Sequence, residues 1–135
     1  MINDNIETIE SGYEFLLAYA AQGRPASLEE AGPGPHARPT LEGMLEAMQN
    51  LVKEFSSSAD SFEQLIADDC NKAGAALSFI LAQEKIGSEI VDNLNASIHL
   101  RAVLTDLFLY GEAREPLADD AEGSAEKPMW EEAKS

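Results

Sequence analysis

The sequence contains a single cysteine, Cys70, and only two histidines among its 135 residues. One cysteine cannot form a disulfide within the chain, and this usage is typical of proteins from a reducing compartment. The chain has no apolar run of about 20 residues, which a membrane-spanning helix requires, and its acidic start lacks the pattern of a signal peptide. These absences predict a cytoplasmic protein without a membrane segment.

The sequence also lacks the common catalytic motifs. It has no glycine-rich phosphate loop, nucleophile elbow, Cys-x-x-Cys, His-Glu-x-x-His or calcium-loop pattern. His36 lies in a proline-rich stretch and His99 is isolated, so the sequence does not favour a zinc or haem site. We therefore predict no catalytic residue, no metal ligand and no cofactor.

Basic residues are scarce compared with acidic ones. Nine Lys and Arg stand against 25 Asp and Glu, which gives a formal net charge of −16. A charge of this sign repels phosphate backbones and anionic lipid surfaces, whereas it attracts basic proteins. The composition predicts a partner protein, and neither nucleic acid nor a membrane.

Apolar residues recur at helical spacing in four segments, which cover residues 4–22, 41–57, 62–85 and 89–110. Asp4, Thr40 and Ser61 precede the first three segments as candidate N-caps. Because the last three segments are joined by short connections, they are expected to be antiparallel neighbours. The pattern predicts an all-α fold, a four-helix antiparallel (up-and-down) bundle over residues 1–111.

Two segments differ from this pattern. Residues 23–39 contain four prolines and three glycines, which predicts a long irregular connection between the first two helices. Residues 112–135 contain eight acids, three bases and two prolines, which predicts an acidic disordered C-terminal tail. The only tryptophan, Trp130, lies in this tail, where it could anchor a partner or fold back onto the bundle.

The fourth predicted helix is apolar on two sides, although a helix of a four-helix bundle has one inner face. One side carries Leu94, Leu104 and Phe108, and the other carries Leu100, Val103 and Leu107. The first helix poses the same problem, since Phe15 and Tyr19 lie away from its main apolar stripe. Packing under the long connection is one explanation, and a protein interface is the other. The residues predicted to form a partner or dimer interface are Phe15, Tyr19, Leu100, Val103, Leu107 and Trp130.

Several polar residues fall on the predicted core side. Asp69 and Arg101 could form a buried ion pair between adjacent helices, or both could reach solvent. Cys70 fits a small buried side chain better than a reactive thiol. A further polar stripe on the fourth predicted helix contains Asp92, Asn95, His99 and Asp106. It could be a solvated outer surface, or it could be a cluster that binds a metal or acts in acid–base chemistry.

The leading functional hypothesis is a non-enzymatic interaction module, such as a chaperone, adaptor or assembly factor, that binds a partner protein and forms a homodimer. The alternative is a helical bundle that binds a cofactor or small ligand, possibly an enzyme, with His99, Arg101 and Asp69 around a central pocket. The sequence does not choose between these classes of protein.

Overall fold

The protein is described by a computed structural model that covers residues 1–23 and 36–114. Within these two ranges all regular secondary structure is helical, so the predicted all-α class is confirmed. Five helices are present there rather than four: α1 (Ile2–Ala21), α2 (Ala37–Phe55), α3 (Ser61–Leu81), α4 (Ser88–Ala96) and α5 (Ile98–Arg114). Most of the predicted connection, and all of the predicted tail with Trp130 beyond residue 114, lie outside the described residues.

Helix starts differ from the predicted ones by up to four residues. Helix α1 begins before Asp4, whose carboxylate binds the Met1 amino group at 3.2 Å instead of capping the helix. Helix α2 begins at Ala37 and includes Pro39, because the first turn of a helix does not use its N–H groups for internal hydrogen bonds. Helix α3 is capped by Asp60, which accepts hydrogen bonds from the backbone N–H groups of Phe62 and Glu63.

The predicted fourth helix is interrupted at Ser97. This residue is extended, with φ −63° and ψ 134°, and its hydroxyl oxygen accepts a hydrogen bond from the backbone N–H of His99. The side chain of Asn95 is buried just before the break and donates to the carbonyl of Leu16 on α1 at 3.1 Å. The single predicted helix is therefore wrong, and α4 and α5 can each turn a different set of residues inward.

Helices α1 and α2 pack closely against each other. Asn50, near the end of α2, donates to Asn5 near the start of α1. A Cβ atom on Gly12 of α1 would lie 2.5 Å from Met44 Cγ, so α1 and α2 approach closely only because Gly12 has no side chain. Helix α2 packs on α3, α3 packs on α5, and α4 lies against α1. One continuous core of buried apolar side chains runs through all five helices.

Arg38 holds the connection between α3 and α4. Its guanidinium donates to the backbone carbonyls of Leu81, Gln83 and Glu84 at 2.8, 2.9 and 3.1 Å. Leu81 is the last residue of α3, and Gln83 and Glu84 lie just beyond it. Carbonyl groups at the end of a helix have no N–H partner within the helix, so a planar cation with several donors can bind all three together. The start of α2 is in this way fixed to the end of α3.

No helix in residues 1–23 or 36–114 is both long and apolar enough to cross a bilayer. Helix α5 continues through Gly111 to Arg114, so the predicted helix end at residue 110 is about one turn too early. A Cβ at Gly111 would meet open space, so no close contact with the described residues requires a glycine there.

Candidate functional site

The residues predicted to form the helical interface lie inside the single chain. Leu100 and Val103 are fully buried and Leu107 is 1% exposed, all three as part of the core. The break at Ser97 explains the difference, because it lets α5 direct this side inward while α4 buries Val91 and Leu94. Because all three are buried in the core of the single chain, they are not the surface residues that a partner or dimer interface requires.

The aromatic pair on α1 is also largely structural. Tyr19 is buried, its hydroxyl donates to the carbonyl of Ile86, and its own carbonyl accepts from the Ser88 hydroxyl, both at 2.9 Å. Phe15 is half-buried and stacks on Tyr19 with 6.2 Å between ring centroids. Tyr19 therefore ties the end of α1 to the start of α4 and is not available to a partner.

Asp69 does pair across helices, but with a different residue from the predicted one. Its carboxyl lies within hydrogen-bonding reach of Asp106 on α5, whereas Arg101 is exposed. Asp106 is only 6% exposed, and no N–H or hydroxyl group in the described part of the chain donates to its Oδ2 atom. The structure does not bring Asp69 and Arg101 together; it brings two acids together.

A buried carboxyl group beside a second, half-buried one cannot share the ionised state with it without a large cost in free energy. Burial first, and then the hydrogen bond to Asp69 and the negative charge of Asp69, together raise the pKa of Asp106 from 3.8 to about 7. The pair is expected to hold one shared proton near neutral pH. Chemically, this arrangement can take up or release a proton between pH 6 and 8, roughly the range in which an acid–base residue is useful.

A surface groove with a volume of about 460 Å³ lies between α2 and α3, away from this pair. Cys70 contributes to its wall, but neither Asp69 nor Asp106 does. Burial, followed by the charges of Asp106 and Asp69, raises the pKa of the Cys70 thiol to about 12, so the thiol is neutral and a poor nucleophile.

The large apolar side chains that are exposed differ from those predicted. We define the outer face as Leu65 and Phe79 on α3 together with Ile98 and Leu109 on α5. Their exposed fractions are 41%, 68%, 75% and 55%, respectively. Leu65 lies one turn before Asp69 and Leu109 lies one turn after Asp106, on the side where Phe62 stacks on Tyr110. The outer face therefore borders the carboxyl pair.

The residues of the alternative hypothesis do not form a pocket. His99 and Arg101 are exposed and Asp69 is half-buried against Asp106. Across the two described ranges, no three His, Cys, Asp or Glu side chains are grouped as metal ligands would be. No family model, curated protein or solved structure matches this chain.

The pairing of Asp106 with Asp69 was not predicted from the sequence. On a continuous helix Asp106 shares one stripe with Asp92, Asn95 and His99, but Asp92 and His99 are exposed while Asn95 and Asp106 are buried. The burial of Asp106 is indicated in the sequence only by its neighbours, since it is adjacent to Leu107 and one turn from Val103, both of which are apolar. These neighbours predict burial only when the helix is divided at Ser97.

Proposed function

We propose that this chain is a non-enzymatic interaction module, such as a chaperone, adaptor or assembly factor, that binds a protein chain through the outer face. The observation that carries the proposal is the exposure of four large apolar side chains on two neighbouring helices. Large exposed apolar side chains on neighbouring helices are a feature of interaction sites in proteins whose surfaces are otherwise polar. The free, buried Cys70 fits a reducing setting such as the cytoplasm.

The proposal treats α1, α2, α3 and α5 as an up-and-down bundle, which the contacts between neighbouring helices support. Asp69 on α3 and Asp106 on α5 lie at the same height along the two helices. Phe79 follows Asp69 by ten residues, about 15 Å along α3, and Ile98 precedes Asp106 by eight residues, about 12 Å along α5. Because α3 and α5 are taken as antiparallel, both side chains lie towards the same end of the bundle. Leu65 and Leu109 lie towards the other end. The four side chains thus span the length of the α3–α5 contact.

On α5 the outer face is a regular stripe. Ile98, Ala102, Thr105 and Leu109 are separated by four, three and four residues, the spacing with which one helix packs lengthwise on another. The stripe has large residues at its ends and small ones at its centre. A small centre lets two helix axes approach to about 8 Å, the lower end of the usual range.

The stripe has the same sequence of side-chain sizes in both directions, so it can pack against the same stripe of a second copy of this chain. If two α5 helices pair antiparallel about a two-fold axis, Ile98 faces Leu109 of the partner subunit, and Ala102 faces Thr105 of the partner subunit. A two-fold contact of this kind uses the same patch twice and closes as a dimer. We therefore propose a homodimer, formed by the outer face of α5 and not by its buried side.

The charges beside the outer face also favour self-association. The whole chain carries 25 acidic and nine basic residues, so most pairs of its surfaces repel each other. The exposed charged residues that flank the outer face are instead balanced, two of each sign: Asp68, Lys72, Arg101 and Glu112. Self-repulsion is therefore smaller on this side than the net charge suggests.

The area available supports a dimer of modest affinity. The exposed fractions of the four side chains together exceed two complete side chains. Burying them would contribute about 4–7 kcal/mol per subunit, at about 1.5–3 kcal/mol for each full side chain. The gain for two subunits is about 8–14 kcal/mol and is comparable to the association cost of about 4–15 kcal/mol. The net free energy of association is therefore small, and we expect a weak dimer.

The test is the molar mass in solution, measured by light scattering after gel filtration at tens of micromolar protein and physiological salt. The expected mass of the wild type is about twice 14.6 kDa, and the double variant Ile98→Asn/Leu109→Asn should approach the monomer mass. Leu17→Asn is the matched control, because Leu17 is also apolar and 46% exposed but lies on α1. Far-UV circular dichroism confirms that each variant is folded. A wild-type mass near 14.6 kDa contradicts the homodimer, as does a control that dissociates equally.

A further inference from the structure

The contact between α3 and α5 contains a buried carboxyl group that no basic side chain of residues 1–23 or 36–114 pairs with. Asp106 is nine-tenths buried on α5, faces Asp69 on α3, and receives no donor at its Oδ2 atom from the described residues. In the same part of the chain, no ion pair joins either carboxylate to a Lys, Arg or His. A buried carboxylate without a partner is costly, whereas a protonated acid that donates to a neighbouring carboxylate is not.

The surrounding titratable groups do not supply the missing partner. Cys70, next to Asp69, is buried and neutral because its pKa is raised to about 12. Tyr110 donates to Glu63, which also accepts from Ser58. The remaining charged groups on nearby turns of α2, α3 and α5 are exposed: Glu46, Lys53, Glu54, Asp68, Lys72, His99, Arg101 and Glu112. Asp106 therefore depends on a proton shared with Asp69.

We propose that the Asp69–Asp106 pair is a pH-sensitive contact: a shared proton holds α3 against α5 in mildly acidic solution, and its loss in alkaline solution loosens the two helices. Because Leu65 and Leu109 flank the pair within one turn, loosening also disturbs the outer face. This second consequence rests on the proposed dimer. The first does not, and it is tested on the stability of the chain alone.

The direction of the pH effect follows from proton binding. The pKa of Asp106 is raised from 3.8 to about 7 in the folded chain, first by burial and then by Asp69. Between these values the folded state holds a proton that the unfolded state has lost, so stability falls as pH rises. Each pH unit inside the window lowers the folding equilibrium constant by up to about tenfold, and the decrease ends above the folded-state pKa.

The test is urea unfolding at pH 5.5 and pH 8, with circular dichroism as the signal and protein at a concentration too low for the dimer. The Asp106 contribution should lower the wild-type folding constant by roughly 30-fold between these pH values. Asp106→Asn keeps the shape of the protonated acid and supplies an N–H donor to Asp69. It should remove most of that decrease and be more stable than the wild type at pH 8.

Asp68→Asn is the matched control, since Asp68 is the exposed neighbour of Asp69 and its replacement changes the net charge equally. It should keep the wild-type pH dependence. The proposal is overturned if Asp106→Asn keeps that dependence, or if Asp68→Asn removes it to the same extent. If Asp106→Asn does not fold, carboxyl-carbon NMR of the wild type decides: a titration midpoint of Asp106 near 7 supports the proposal, and one below 5 overturns it.

Light scattering at both pH values separates this proposal from the proposed function. A dimer fraction that is larger at pH 5.5 than at pH 8 supports both. A wild-type chain that is monomeric at both values overturns the dimer, while the urea profiles still decide the role of the carboxyl pair. Equal dimer fractions at the two pH values contradict the coupling between the pair and the outer face.

Discussion

Leu107 and Phe108 are adjacent on α5 but have opposite environments. Leu107 is 1% exposed in the core, whereas Phe108 is 61% exposed. Replacing Leu107 by Ala removes buried methyl groups and leaves a cavity, which costs about 2–5 kcal/mol. That is a large part of the roughly 5–15 kcal/mol that stabilises a typical domain. Replacing Phe108 by Ala should cost about 1 kcal/mol or less, because most of its surface already contacts water.

The two variants are compared by thermal and urea unfolding, monitored by far-UV circular dichroism. For a domain of this size, 1 kcal/mol corresponds to a shift of about 4–8 °C in Tm, so Leu107→Ala should lower Tm by roughly 10–20 °C and Phe108→Ala by only a few degrees. The comparison tests the orientation of α5 after the break at Ser97. If Phe108→Ala is as destabilising as Leu107→Ala, or more so, the helix is turned differently and the outer face is misassigned.

Three further predictions test the packing of the other helices by the same unfolding measurements or by thiol labelling. Gly12→Ala should destabilise the chain by about 1–3 kcal/mol through overpacking against Met44, whereas Gly43→Ala, where a Cβ meets open space, should stabilise it by up to about 1 kcal/mol. Arg38→Ala should cost about 1.5–3 kcal/mol through the loss of charge-assisted hydrogen bonds, and Arg38→Lys should recover only part of it. Cys70 should react with a thiol reagent only as fast as the chain unfolds, and rapid labelling of the native protein would contradict its burial. A Gly12→Ala variant that is more stable than the wild type would contradict the close contact with Met44. An Arg38→Ala variant with unchanged stability would contradict the contribution of the Arg38 hydrogen bonds.

The sequence predicts which side of a helix is buried where that helix has a single apolar stripe. The apolar residues at helical spacing on α2 were expected on the core face, and five of the seven are buried while Leu45 and Val52 are half-buried: Leu41, Met44, Leu45, Met48, Leu51, Val52 and Phe55. The pattern works there because a continuous helix with one apolar side has one stable orientation against a core. The same reasoning placed most of the buried residues of α3, although Leu65 is exposed at the edge of the stripe.

The parts that were not predictable depend on contacts between distant residues. Helical periodicity assumes an unbroken helix, and no periodic signal marks Ser97. The break is accompanied by a hydrogen bond from Asn95 to the carbonyl of Leu16, 79 residues away in the chain. Once the helix is divided, α4 buries Val91 and Leu94, whereas α5 buries four leucine and valine residues: Leu100, Val103, Leu104 and Leu107. The burial of Asp106 beside Asp69 follows from the same division.

The central claim, that the outer face of α5 binds a second copy, is tested most directly by the distance between spin labels attached to two subunits. A label at Arg101→Cys, with Cys70 replaced by Ala, lies beside the stripe without occupying it. In the proposed two-fold pairing the helix axes are about 8–10 Å apart, and the two Arg101 positions are offset by about 7.5 Å along them. The account predicts a short intermolecular distance for this label and a much longer one for a label at the exposed Glu42 of α2. No intermolecular signal at Arg101 at tens of micromolar protein, or a shorter distance at Glu42 than at Arg101, would contradict it.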